Sequence, residues 1–209
     1  MGEALRSIVP AGDILISQVL ISAMFSMVGV LAAACAVQAI VRMRQEEAGR
    51  TAELILATPV SRVRWMRDYL ALGSLGVVLV LLSGAVVSAA SVLVSGDVPE
   101  RVADSFIAAA VQLPAALAYL AVLALVFVLL PEMTAAVWWS LMGLGAFLGI
   151  FGGLIGAPEA LRSLSPFTHT PIPAGAETDI SGGLWMLAVA AAAVTAALAC
   201  MRRRGLHAT

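Results

Sequence analysis

The chain contains no lysine, so all twelve of its Lys+Arg positions are arginine. That absence alone excludes a Gly-x-x-x-x-Gly-Lys-Ser/Thr phosphate loop, whose lysine reaches the terminal phosphates of a nucleotide. Charge of either sign is scarce: charged residues make up 12% of the chain and hydrophobic ones 61%. A formal net charge of −1 gives no general attraction to nucleic acid. The two cysteines, Cys35 and Cys200, read as inert thiols near the ends of apolar runs. The two histidines, His169 and His207, stand in no spacing that suggests a metal site, and nothing indicates a cofactor. No acid or base lies deep within an apolar run, which argues against a proton relay and hence against a proton-coupled carrier.

What the chain has is hydrocarbon. A mean hydropathy of +1.00 places it in the membrane class. Five stretches are free of Asp, Glu and Arg: Ile14–Val41, Tyr69–Gly96, Ser105–Leu130, Met133–Pro158 and Ile180–Met201. A spanning helix needs about 20 predominantly apolar residues, and each stretch meets that. Barrel strands would be shorter and would alternate with period two. The expected fold is therefore all-α and polytopic, a single transmembrane domain over residues 1–209 with five spanning helices.

Arginine sets the expected orientation. Arg42, Arg44, Arg50, Arg62, Arg64 and Arg67 lie between the first two stretches, and Arg202, Arg203 and Arg204 follow the last. With five spans those two places share a side, and the positive-inside rule makes it the cytoplasm. Residues 1–13, 97–104 and 159–179 then lie outside, and the chain is a multi-pass protein of the cell membrane. An N-terminus outside, with no secretory signal before the first stretch, predicts a preceding helix and a chain that is the later part of a longer protein or one half of a split one.

Within the apolar stretches, Gly145, Gly149 and Gly153 recur every four residues, a flat stripe suited to close approach by another helix, either as static packing or as a seam that slides. Pro114 should bend the third helix. Gln18, Gln38 and Gln112 would cost energy against lipid and are expected to face protein or a cavity. Trp65, Tyr69, Trp138, Trp139 and Trp185 read as an aromatic belt at the interfaces.

Residues 42–68 hold half of the arginines. From Gln45 to Ala57 the chain favours a short helix ended by Pro59, with Glu46, Arg50 and Glu53 on one face and Leu54, Ile55 and Leu56 near its end. Ser61 can cap the next helix, whose opening turns carry Arg62, Arg64 and Arg67. Three readings stand together: a charged loop that fixes topology, a lipid-headgroup anchor diluted by Glu46, Glu47, Glu53 and Asp68, and a docking element for a cytosolic partner.

The run Glu46-Glu47-Ala48-Gly49-Arg50-Thr51-Ala52-Glu53-Leu54-Ile55-Leu56-Ala57-Thr58-Pro59-Val60-Ser61-Arg62 resembles the cytoplasmic segment of type-2 ATP-binding-cassette exporter permeases, especially the actinobacterial exporters of polyketide antibiotics. Leu164-Ser165-Pro166-Phe167-Thr168-His169-Thr170-Pro171 and the terminal Arg202-Arg203-Arg204-Gly205-Leu206 fit the same group. The resemblance implies a half of six helices from which the first is missing, and it matches the second half of a longer permease. It also implies a coupling helix that meets a cytosolic cassette ATPase through Glu46, Glu47, Gly49, Arg50, Glu53, Leu54, Pro59 and Arg62. A second permease half is the other implied partner. The implied cargo is hydrophobic or amphipathic, such as an antibiotic or drug, with ATP hydrolysed on the separate subunit rather than here. Loop 157–179 corresponds to the family's outer hairpin, where Leu164 to Phe167 would dip towards the outer leaflet. Two other classes stay open. Ser163, Ser165 and His169 could imitate the nucleophile and base of a membrane-embedded hydrolase. A scaffold or assembly subunit would bind partners without responding to ATP.

Overall fold

The computed structural model describes residues 2–49, 57, 59–96, 100–130, 132, 135–152, 155–156, 158–162, 165–169 and 181–203, and side chains from residue 24 onward, those of 100, 161, 162, 168 and 169 excepted. Among the described residues there is no strand. The helices are α1 (Gly2–Ala48), α2 (Arg62–Val94), α3 (Glu100–Leu129), α4 (Ala135–Phe151), α5 (Glu159–Arg162) and α6 (Ser181–Arg203), with a 3-10 turn at Pro166–His169. Met24–Ala48, Arg62–Val94, Arg101–Leu129 and Ser181–Arg203 are each long and apolar enough to cross a membrane.

The fourth apolar stretch departs from expectation. Its helix, α4, has 17 residues rather than a full span. At 1.5 Å per residue that is about 25 Å, against a hydrocarbon core of about 30 Å. The glycines explain the early stop. Gly152 already lies in a turn, and Gly156 takes a φ of +66°, a left-handed conformation that a glycine adopts without penalty. α2 ends by the same device: Ser95 caps it and Gly96 follows at φ +68°.

α3 is the hub, packing against α1, α2 and α6. Its most apolar window is 61% buried, against 22% for α2 and 28% for α6. Small side chains make this possible, since Ala108, Ala115, Ala116, Ala121 and Ala124 are all buried and let neighbouring backbones come close. The helix runs unbroken through Pro114. Outer helices bury only a narrow seam. In α6 it is Met186, Ala190, Ala193, Ala197 and Met201, in steps of three or four. The rest of the surface stays apolar: Leu72, Leu75, Leu79 and Val86 of α2 are each more than half exposed. A helix apolar all round, with one seam buried, is what a bilayer requires.

The α1–α2 contact is a glycine seam that the α4 stripe overshadowed in the sequence. A Cβ on Gly73 would stand 3.1 Å from Ala39 Cβ, one on Gly76 2.6 Å from Cys35 Sγ, and one on Gly84 2.8 Å from Val28 Cγ1. Of the three intramembrane glutamines, Gln112 is buried and presses its amide on Gly29, as expected of a polar group kept from lipid. Gln38 is exposed, contrary to expectation; it sits one turn before Arg42, close enough to the polar boundary for its amide to reach out of the hydrocarbon. The side chain of Gln18 lies outside the described residues.

Candidate functional site

Glu46 and Glu47 do not open a separate short helix. α1 continues through Gln45 to Ala48, and Gly49 closes it in a turn, its N–H donating to the Gln45 carbonyl at 2.8 Å. The helix continues because its last turns carry charge partners: Arg42 Nε lies 3.9 Å from Glu46, and Arg44 donates to Glu47 at 3.3 Å. Glu46 also shares a hydrogen bond with the Tyr69 side chain of α2, and Tyr69 meets Trp65 edge-on with ring centroids 5.5 Å apart. The end of α1 is thereby tied to the second turn of α2.

On the far side of the connecting segment, Pro59 lies in an exposed turn. Ser61 caps α2 as expected, with extended backbone (φ −75°, ψ 151°) and its hydroxyl accepting from the Arg64 N–H at 3.3 Å. Arg62 is half-buried at the first position of α2, and Arg64 and Arg67 are exposed. The remaining residues assigned by resemblance to this surface, Arg50, Glu53 and Leu54, lie outside the described residues, as does the shared face of Glu46, Arg50 and Glu53.

The signs of these charges are informative. A helix favours anions at its N-terminus and cations at its C-terminus, by about 0.3–1 kcal/mol each. α1 ends in two acids with no basic residue in its last turn, and α2 opens on arginines with no acid in its first turn. Both ends flanking the segment carry charge of the wrong sign for their own dipoles. The helix dipoles do not account for that arrangement.

The described glycines of the α4 stripe, Gly145 and Gly149, form a second site, met by a side chain of helix α3 and by a turn. Ser165 and Phe167, from the turn before α6, are buried against it. A Cβ on Gly149 would lie 2.6 Å from Phe167 Cβ and 2.8 Å from Ser165 Oγ, and one on Gly145 would collide with the Tyr119 hydroxyl of α3. Ser165 donates to the Gly145 carbonyl at 2.7 Å, accepts from the Phe167 N–H at 3.3 Å, and shares a hydrogen bond with Tyr119. The Tyr119 and Phe167 rings pack at 5.3 Å between centroids. Gly153 lies outside the described residues. Ser165 is only 1% exposed and its hydroxyl is committed to a main-chain carbonyl, so it serves packing rather than nucleophilic attack. Ser163 and the His169 side chain lie outside the described residues.

A third feature was not foreseen. A groove of about 460 Å³ between α2, α3 and α6, lined by Leu70, Ser74, Leu117, Leu187 and Val194 among others, is nearly all apolar. No sequence signal marks it, because it arises where α2 and α6 diverge over the hub helix.

Comparison with known proteins agrees with this architecture. Residues 2–202 match the family described as multidrug efflux system permease Rv1217c, C-terminal domain. The chain is 38% identical over 207 residues to the multidrug efflux system permease protein Rv1217c of Mycobacterium tuberculosis (strain ATCC 25618 / H37Rv). That match covers 98% of this chain and 38% of the relative, so the chain spans well under half the length of the protein it resembles.

Proposed function

The chain belongs to the family of the C-terminal domain of the multidrug efflux permease Rv1217c, and from that premise we propose that it is the membrane-spanning half of an ATP-driven exporter of the type-2 cassette class. Its cargo would be hydrophobic or amphipathic small molecules, including drugs and polyketide-like antibiotics. ATP would be hydrolysed on a separate cytosolic cassette subunit, and the other permease half would come from an upstream segment, a copy or a paralogue.

One observation carries the coupling role: the wrong-signed ends of α1 and α2 around residues 49–61. Charges that oppose their own helix dipoles are not placed there for the dipoles, and beyond the pairs with Arg42 and Arg44 they set the sign that each helix end presents to a partner. Paired charges on a short exposed segment set register and orientation against a partner surface. Any push on that segment reaches two long helices directly, and the Glu46–Tyr69 hydrogen bond makes those helices respond together. In this reading Glu46, Glu47, Gly49, Arg50, Glu53, Leu54, Pro59 and Arg62 form the coupling surface. Gly145, Gly149 and Gly153 serve as the helix-packing stripe.

Co-purification from membranes with the cassette ATPase tests this, comparing wild type with Arg50→Glu. The wild type retains the ATPase, and the reversal lowers retention about tenfold or more while insertion is unchanged. Like charges brought together at an interface cost several kcal/mol. Equal retention by both proteins refutes the docking role.

A further inference from the structure

Where α1 ends and α4 begins, a cavity of about 220 Å³ opens between Val41, Arg44, Gln45, Glu132, Ala135 and Trp138. It would hold roughly seven water-sized groups. Its height relative to a bilayer follows from the sequence: the apolar stretch Ile14–Val41 stops at one wall, and the stretch from Met133 starts at the other. The cavity therefore straddles the boundary between hydrocarbon and headgroups. Val41, Ala135 and Trp138 form its apolar part, and Arg44, Gln45 and Glu132 its polar part.

Two features of this cavity suit an anion. Arg44 spends one guanidinium nitrogen on Glu47 and has further N–H donors. Ala135 opens α4, whose first N–H groups have no intrahelical acceptor and whose first turn carries no acid. Of the nearby carboxylates, Glu47 is paired with Arg44, and the exposed Glu132 lines the cavity itself. A simple anion would meet Glu132 as a repulsive neighbour. A zwitterion with phosphate at one end and ammonium at the other matches both signs within one cavity.

We infer that this cavity binds the headgroup of an aminophospholipid, a phosphoethanolamine lipid of the leaflet facing the arginine-rich end. The phosphate accepts from Arg44 and the α4 N-terminus, the primary ammonium donates to Glu132, and the acyl chains follow the apolar wall below Val41. A quaternary choline headgroup cannot donate to Glu132, and a glycerol headgroup offers it no cation.

Native mass spectrometry of the detergent-purified protein, titrated with dioleoyl phosphatidylethanolamine, phosphatidylcholine or phosphatidylglycerol, tests this. Phosphatidylethanolamine is retained about tenfold more strongly than either other lipid, the difference expected of one charge-assisted hydrogen bond. Glu132→Gln, an exposed change outside the helices, removes the preference over phosphatidylcholine but keeps phospholipid bound. Arg44→Gln weakens all three. Equal retention of the three lipids by wild type overturns the proposal without relying on any variant. So does a Glu132→Gln protein that keeps the full preference. Loss of ATPase co-purification in both variants, with lipid retention unchanged, would make the cavity a protein-docking site and equally overturn it.

Discussion

Ser165 donates a hydrogen bond to the main-chain carbonyl of Gly145 across 2.7 Å, joining a loop residue to the middle of an apolar helix. The contact exists because residues 145 and 149 have no side chains. A Cβ at 149 would stand 2.6 Å from Phe167 Cβ, too close for real atoms. Gly149→Ala therefore overpacks the seat by about 1–3 kcal/mol, or about tenfold and upward in local opening. A cysteine at 167, probed with a membrane-impermeant maleimide, should label about ten times faster in the Gly149→Ala background. Gly143, where a Cβ meets nothing within 4 Å, gives the control: Gly143→Ala leaves the rate unchanged.

The cap on α2 is open to a simpler measurement. Ser61 is exposed and its hydroxyl accepts from the Arg64 N–H. Ser61→Ala should cost about 1 kcal/mol, lowering the thermal midpoint in detergent by about 2–4 °C for a domain of this size. Ser61→Asp should equal or exceed the wild type, because an acid there also answers the arginines of the first turns and the helix dipole.

Two contacts of α1 with polar partners differ sharply in worth. Arg42 and Glu46 lie 3.9 Å apart with the arginine side chain 66% exposed, so Arg42→Ala should change stability by less than about 0.5 kcal/mol. Tyr69 gives its hydroxyl to the less exposed Glu46. Tyr69→Phe should cost about 1 kcal/mol, within the range for a hydrogen bond to a charged group after allowance for partial exposure. Thermal unfolding of the two variants side by side decides the ranking, and a larger loss from Arg42→Ala would reverse it.

The α1–α2 seam predicts a compensation. A methyl group at 76 would press on Cys35 Sγ at 2.6 Å, so Gly76→Ala should destabilise by about 1–3 kcal/mol. Cys35→Ala removes the obstructing sulfur. The double variant should recover most of the loss, a coupling that a double-mutant cycle of thermal midpoints reads directly. Additive losses would mean that the two residues do not meet.

The spans were legible in the sequence because bilayer crossing depends on length and composition alone. Four stretches became long helices for that reason, and Ser61 was legible as a cap because its chemistry is local. The fourth stretch was misread: its glycines were counted as apolar positions, when by Gly152 they had already ended the helix. The partner of the α4 stripe was also illegible. Small residues every four positions announce a close approach, and here Tyr119 of helix α3 approaches Gly145 while Ser165 and Phe167 of the turn approach Gly149. The helix end at Gly49 was hidden because Arg42 and Arg44 supply partners behind Glu46 and Glu47, while the sequence directed attention forward to Arg50.

The placement of α3 has a consequence for biogenesis. At Gly76 and Gly84 the seam joining α1 to α2 meets only Cys35 and Val28, so this part of the hairpin needs nothing translated after residue 96 and can close while the rest of the chain is still on the ribosome; Gly73 also meets Leu120 of α3. α6 rests mainly on α3, and the seat for Ser165 and Phe167 needs Tyr119 of α3 as well as α4. Assembly then proceeds from hairpin to hub to last helix, in the order in which the segments leave the translocon. A defect in α3 would strand a well-formed hairpin beside an undocked α6, a substrate for membrane quality control rather than a slow transporter.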